Sequence, residues 1–166
     1  AGIVLASLLG ILLAVGMVSS RALERSILPL LVASQTIPIV ALTPMLAVTL
    51  GQFRDLPGWV PKAIIAAYIA FFPICVGLIK GLRSPDPLQL DMMRTYSSST
   101  ASIFFKLRFP ASLPYLFTAY KVAVAAALIG AIVAEGATVS FQGIGKMLSE
   151  NSRAADSVAL WVIMLC

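Results

Sequence analysis

The chain has 166 residues, 60% of them hydrophobic and only 11% charged, with a net charge of +5. A soluble core of this length does not need so much apolar surface, whereas a bundle of membrane helices does. There is no histidine, and Cys75 and Cys166 form neither a disulfide framework nor a metal-site spacing, so the usual equipment of an enzyme is missing and no cofactor is expected.

In chain order, the first apolar run is 1–18, with Gly2, Ala6, Gly10 and Ala14 at intervals of four. Small residues in such a row let helices approach closely in lipid, where association depends on packing. Arg21 and Arg25 follow this run and no basic leader precedes it, which is the wrong order for a signal peptide. The second run, 27–50, would extend roughly 36 Å as a helix, enough to cross a bilayer. It carries Pro29, Pro38 and Pro44 together with Gln35, Thr36 and Thr43. Interior prolines free carbonyls that lipid cannot satisfy, so this pattern fits either a kinked helix beside a central pathway, with Gln35 and Thr36 as lining candidates, or a bent helix whose polar groups bond its neighbours. The third run is 59–80.

A polar interruption then occupies 81–110. Asp86 followed by Pro87 is a cap and a first helical position, and it starts a helix over Leu88 to Tyr96, with Asp91 and Arg94 at i and i+3. The run Ser97 to Thr100 breaks that helix and offers a cap for a second one, roughly Ser99 to Leu107. The second helix exposes Ile103, Phe104 and Phe105 between Ser102 and Lys106; Pro110 ends it and Pro114 starts the next span. Two short helices at an angle, outside the membrane, form a surface that either packs on the bundle or plugs into a partner.

Run 111–134 repeats the small-residue row at Ala119, Ala123, Ala127 and Ala131. Lys121 and Glu135 are the charges most closely associated with it. Steps of about 100° put them within roughly 40° of one face, about 21 Å apart, too far to pair with each other. Charge within a span points to a pathway or to a buried partner, so both are candidates; the simpler readings are snorkelling for Lys121 and a solvated cap at the outer interface for Glu135. Over 135–156, Phe141, Ile144, Met147 and Leu148 at helical spacing predict a short surface helix with its apolar face inward. The last run begins at Ser157 and reaches only about 15 Å. As the chain also starts without Met, it reads as an internal piece of a longer membrane protein.

Connections 19–26 and 81–110, with Lys80, hold seven Lys and Arg; the alternate connections, with Lys62, hold four. The richer set is expected in the cytoplasm, which leaves 51–58 and 135–156 outside and puts Trp59 and Trp161 toward the outer ends of their runs. In a membrane protein the basic excess is topology information, and no nucleic-acid partner is expected.

The stretch DMMRTYSSSTASIFFKLRFP resembles the cytoplasmic "EAA" loop of binding-protein-dependent ABC importer permeases. That pattern is Glu-Ala-Ala, three residues, Gly, nine residues, Ile, one residue and Leu-Pro. Asp91-Met92-Met93 takes the Glu-Ala-Ala place, Ser97 the Gly place, Leu107 the Ile place, and Phe109-Pro110 the Leu-Pro place. The spacing is kept; the Gly is replaced by Ser and the two small residues by Met. QTIPIVALTPMLAV, KVAVAAALIGAIVAE and GIGKML extend the likeness to the nitrate/sulfonate/taurine branch, which includes pyrimidine-precursor and riboflavin-like importers.

The resemblance implies an all-α type I permease of the bacterial inner membrane, not an enzyme. Its implied partners are cytoplasmic ATP-binding subunits, an extracytoplasmic substrate-binding protein and a second permease subunit, expected as a homodimer. It also implies that Ser99 to Lys106, with Thr100, Ile103, Phe104 and Phe105, is a coupling helix seated in an ATPase groove, anchored with the help of Asp91. GLRSPDPLQLDMMRTY looks more like the heterocyclic-precursor importers, with a sulfonate, taurine or nitrate anion as the alternative. An autonomous channel or secondary transporter would carry more intramembrane charge than Lys121. No phosphate-cradling Gly-rich Lys-Ser/Thr loop is present, so the ATP chemistry must lie in another subunit.

Overall fold

A computed structural model describes residues 1–37, 42, 45, 46, 49, 57, 59–96, 98–136, 143–154 and 156–165. Among them the helices are α1 (Gly2–Ser19), α2 (Arg21–Ser34), α3 (Trp59–Leu82), α4 (Pro87–Thr95), α5 (Thr100–Ile103), α6 (Phe109–Gly136), α7 (Ile144–Arg153) and α8 (Ser157–Leu165), with a π-helical turn over Phe104–Arg108 between α5 and α6. Among the described residues, three helical stretches are long and apolar enough to cross a membrane: Gly2–Ser19, Trp59–Leu82 and the continuous Thr100–Gly136.

Glycine and alanine bring these three helices together. On α1 the buried positions are Gly2, Ala6, Gly10 and Ala14, the row visible in the sequence, and Met17. It lies along α3, with Gly2 against Ala63 and Ala66 and Gly10 against Ile74. α6 runs antiparallel to α3, so Gly77 meets Ala119, Gly81 meets Ser112 and Gly130 meets Ile69. The row on α6 begins as expected at Ala119, Ala123 and Ala127, then moves to Gly130 and Ala134. A spacing of four drifts around a helix of 3.6 residues per turn, and one step of three brings it back to the same face. Ala131 is accordingly only half-buried.

Between helices, Tyr120 donates to Ser7 Oγ at 2.7 Å and Ser7 donates to the Ile3 carbonyl at 2.7 Å, joining α6 to α1. Tyr68 on α3 donates to the Ser34 carbonyl at 2.5 Å, which holds the last turn of α2.

Two expectations change. Where a connection over 19–26 and a span from 27 are expected, the connection is Ser20 alone and α2 already starts at Arg21. Its first turns are charged, its inward residue is Leu31, and it packs through Ile27 and Leu28 on the Ala14–Met17 end of α1. The helix contains Pro29 and ends at Ser34; Pro38, Thr43 and Pro44 lie outside the described residues.

The second change concerns Pro110, which does not end the helix that begins at Ser99. Helix continues through the π turn, in which the Phe109 amide donates to the Phe104 carbonyl five residues back. Proline lacks an N–H, and its ring would crowd the carbonyl four residues earlier in an α-helix. A widened π turn at that place relieves the crowding, so the chain goes on helically.

If close approach holds the bundle, Gly77→Ala in the detergent-solubilised full-length protein lowers the thermal unfolding midpoint by several degrees, because its Cβ meets Ala119 and overpacking costs about 1–3 kcal/mol. Gly16→Ala, where a Cβ meets nothing within 4 Å, leaves the midpoint unchanged or raises it. Equal effects of the two substitutions would refute this account.

Candidate functional site

Gln35, Thr36, Lys121 and Glu135, the four path candidates, do not gather in one place. A cavity of about 710 Å³ lies against α3 and α6, walled by Ile69, Phe72, Pro73, Val76 and Lys80 on one side and by Pro114, Tyr115, Thr118, Val122 and Ala126 on the other. Gln35 contributes to its wall, while Thr36, Lys121 and Glu135 are not among its lining residues. Thr36 instead donates to the Ala33 carbonyl at 2.7 Å, closing the turn after α2. Lys121 lies on the exposed side of α6.

The walls are mainly aliphatic and aromatic, with polar groups at Gln35, Tyr115, Thr118 and Lys80. Such a surface has the make-up of a site for a flat or apolar solute, with a few groups able to hydrogen-bond. Pro73 frees the carbonyl of Ile69 from its helical bond, and both residues line the cavity. Unpaired backbone is tolerated in a membrane protein in such a place. Of the polar residues on these walls, the sequence pattern singles out Gln35 and not Lys80, Tyr115 or Thr118. Lys80 counted only as a topology charge, and nothing in the apolar run marked which face of α6 would be open.

Glu135 lies away from this cavity. Its Oε1 accepts from Lys62 Nζ at 2.8 Å and its Oε2 from the Gly145 amide at 3.1 Å, with side-chain exposures of 18% for Glu135 and 23% for Lys62. One carboxylate thus ties the end of α6 to the start of α3 and to the first turn of α7. A carboxylate near a helix N-terminus also meets its positive dipole end. The approach is close because Gly145 has no side chain: a Cβ there would press on the Ile132 carbonyl. α7 therefore turns Gly145, Leu148 and Ser149 toward the bundle, so that of the expected inward residues Leu148 faces in while Ile144 and Met147 are exposed. Phe141 lies outside the described residues.

The residues assigned to coupling cluster at the opposite end. Asp86 Oδ1 accepts from the Leu88 amide at 2.9 Å and Pro87 opens α4, as the sequence predicts. Asp91 pairs with Arg94 at 3.2 Å, both side chains 69% exposed, so the pair adds little stability. Ser97 lies outside the described residues. Ser99 Oγ accepts from the Ser102 amide at 3.2 Å and caps α5, which begins at Thr100; Ile103 is half-buried. Phe104 and Phe105 meet edge to face at 5.3 Å. Phe104 packs into the cluster of Ala14, Met17, Leu78 and Leu82, whereas Phe105 is 68% exposed. Lys106 and Pro110 are exposed beside it.

Residues 6–166 match the family of binding-protein-dependent transport system inner membrane components. The chain belongs to this family. Its members are parts of membrane transport systems and not enzymes, and this chain is a multi-pass inner-membrane protein. It is 33% identical over 153 residues to a probable ABC transporter permease protein of Haemophilus influenzae, covering 92% of this chain and 60% of that one. It is 37% identical over 134 residues to the formylaminopyrimidine transport permease protein ThiX of Halalkalibacterium halodurans, covering 81% and 52%. To the riboflavin transport system permease protein RibX of Chloroflexus aurantiacus it is 30% identical over 144 residues, covering 87% and 52%. The chain thus spans from about half to three-fifths of the length of these curated relatives.

Removing the Glu135 carboxylate should free α7 first. Glu135→Ala in the full-length protein is expected to raise amide hydrogen exchange over Ile144–Arg153 roughly tenfold, the equivalent of about 1.4 kcal/mol. Lys121→Ala should leave that segment unchanged. Protected α7 amides in the Glu135 variant would show that the clamp is not what holds the helix.

Proposed function

We propose that this chain is the transmembrane permease part of an ABC importer, translocating a small solute delivered by an extracytoplasmic binding protein and driven by partner ATPase subunits. The observation that carries this reading is the exposed Phe105 at the capped start of a helical rod running from Thr100 to Gly136. At about 1.5 Å per residue its 37 residues extend about 55 Å, more than a bilayer core. A displacement imposed on α5 is carried along this rod past the cavity to the Glu135 clamp.

In this reading the α4–α5 end is cytoplasmic, α5 is the coupling helix of an EAA-type loop, and Asp91 helps to anchor it. Phe105 enters a groove of the ATPase, while Phe104 is the half of the pair that fixes α5 to the bundle. Closure of the ATPase dimer draws two such permease subunits together and opens the α7 end to the binding protein. The helix α7, held through Glu135 and Gly145, rides on that movement.

The solute we assign is a neutral heterocycle of the vitamin-precursor class. The aromatic and aliphatic walls with Gln35, Tyr115 and Thr118 suit a flat ring with a few polar edges. The relatives named for formylaminopyrimidine and riboflavin transport support the same choice. An anion would ask for more positive charge than Lys80, which is the cation among the described cavity walls.

Phe105→Asp in the full-length permease should abolish co-purification of the ATPase and solute uptake while leaving membrane insertion and thermal stability unchanged. Phe104→Ala should destabilise the fold, because that ring is packed. Retention of both the ATPase and uptake in the Phe105→Asp variant would sink the coupling assignment. Uptake of nitrate or a sulfonate, with none of an aminopyrimidine, would overturn the choice of solute alone.

A further inference from the structure

Four arginines converge where α1 and α3 end and α6 begins. A cavity of about 450 Å³ is lined by Val18, Arg21, Glu24, Arg25, Arg83 and Arg108. These residues come from the last turn of α1, the first turns of α2, the residue after α3 and the π turn before α6. Glu24 pairs with Arg83. Four guanidinium groups against one carboxylate leave three positive charges uncompensated, and Arg21, Arg25 and Arg108 form no ion pair among the described residues. Ser20 makes no side-chain cap to α2, so the positive end of that helix adds to the same potential.

Crowding like charges at one spot is unfavourable unless an anion is shared between them. We infer that this cluster is a seat for the headgroup phosphate of an anionic phospholipid. The position of the cluster selects the occupant. It lies at the level where α1 and α3 end and α6 begins, which is where a lipid phosphate stands, and Val18 gives it an apolar wall for the chain below. Guanidinium groups bind phosphate oxygens through paired N–H donors. A zwitterionic headgroup brings its own cation and cannot compensate the cluster; a headgroup with a net negative charge can.

The seat joins α1, α2 and α3 to the turn that carries Phe105, so an anionic lipid would stiffen the same junction to which the coupling reading assigns force. The lipid inference does not depend on that reading, and its test reads lipid alone.

Delipidated full-length permease is titrated with dioleoyl phosphatidylglycerol and, separately, with dioleoyl phosphatidylcholine, and the bound lipid is counted by native mass spectrometry. The wild type should retain phosphatidylglycerol in roughly tenfold or greater preference. The preference should fall to near parity in Arg21→Gln/Arg25→Gln/Arg108→Gln and survive in the corresponding triple lysine variant, which keeps the charge and reports on folding. Equal retention of the two lipids by the wild type overturns the inference, as does an unchanged preference in the glutamine variant. A cluster that binds inorganic phosphate without any lipid preference is a soluble-oxyanion site, which also overturns it. Loss of the ATPase subunit from the glutamine variant with lipid preference intact would assign the cluster to protein docking instead.

Discussion

Everything in this bundle depends on how closely α3 and α6 approach each other. In lipid there is no water to expel from between two helices, so packing contacts and interhelical hydrogen bonds must hold them. Gly77 against Ala119, Gly81 against Ser112 and Gly130 against Ile69 remove the side chains that would keep the two backbones apart. The same contact sets the cavity. Where small residues meet, the helices touch; on the adjoining face, Pro73, Val76, Pro114 and Tyr115 leave an open wall. A gap and a seam on neighbouring faces of one helix pair are thus two outcomes of a single distribution of side-chain sizes.

The ion pairs between elements lie at the two ends of this seam, in keeping with the cost of charge in hydrocarbon. At one end Glu135 satisfies Lys62 and the Gly145 amide together. At the other, Glu24 satisfies Arg83 and leaves three arginines for a ligand. One end is internally balanced and the other carries excess charge, so the two should respond differently to lipid and salt: the balanced end little, the excess end strongly.

Much of this was legible in the residues. The interval-of-four rows on α1 and α6 named the buried faces because small residues in lipid have few purposes other than close packing. Asp86-Pro87 and Ser99 marked helix starts because capping needs only local chemistry. Other features were not legible, and each involved tertiary context. Arg21 and Arg25 looked like a connection, since nothing local shows that a charged turn can be helical when its far side packs on Met17. Pro110 looked like a terminator, since a π turn has no sequence signature. Gly145 was passed over in favour of Ile144 and Met147, although the absence of a side chain was what allowed α7 to dock. Glu135 and Lys62 are far apart in sequence, and only the fold pairs them.

The π turn at Phe104–Arg108 also sets a phase. One extra residue per turn rotates everything before it by roughly 100° relative to a plain α-helix. Phe105 faces outward and Phe104 inward with respect to a bundle built by residues beyond the turn, so their division of labour is a matter of angular register as much as of residue type. A lineage could exchange which aromatic ring faces outward by gaining or losing a single residue here, with every side chain of the membrane rod untouched.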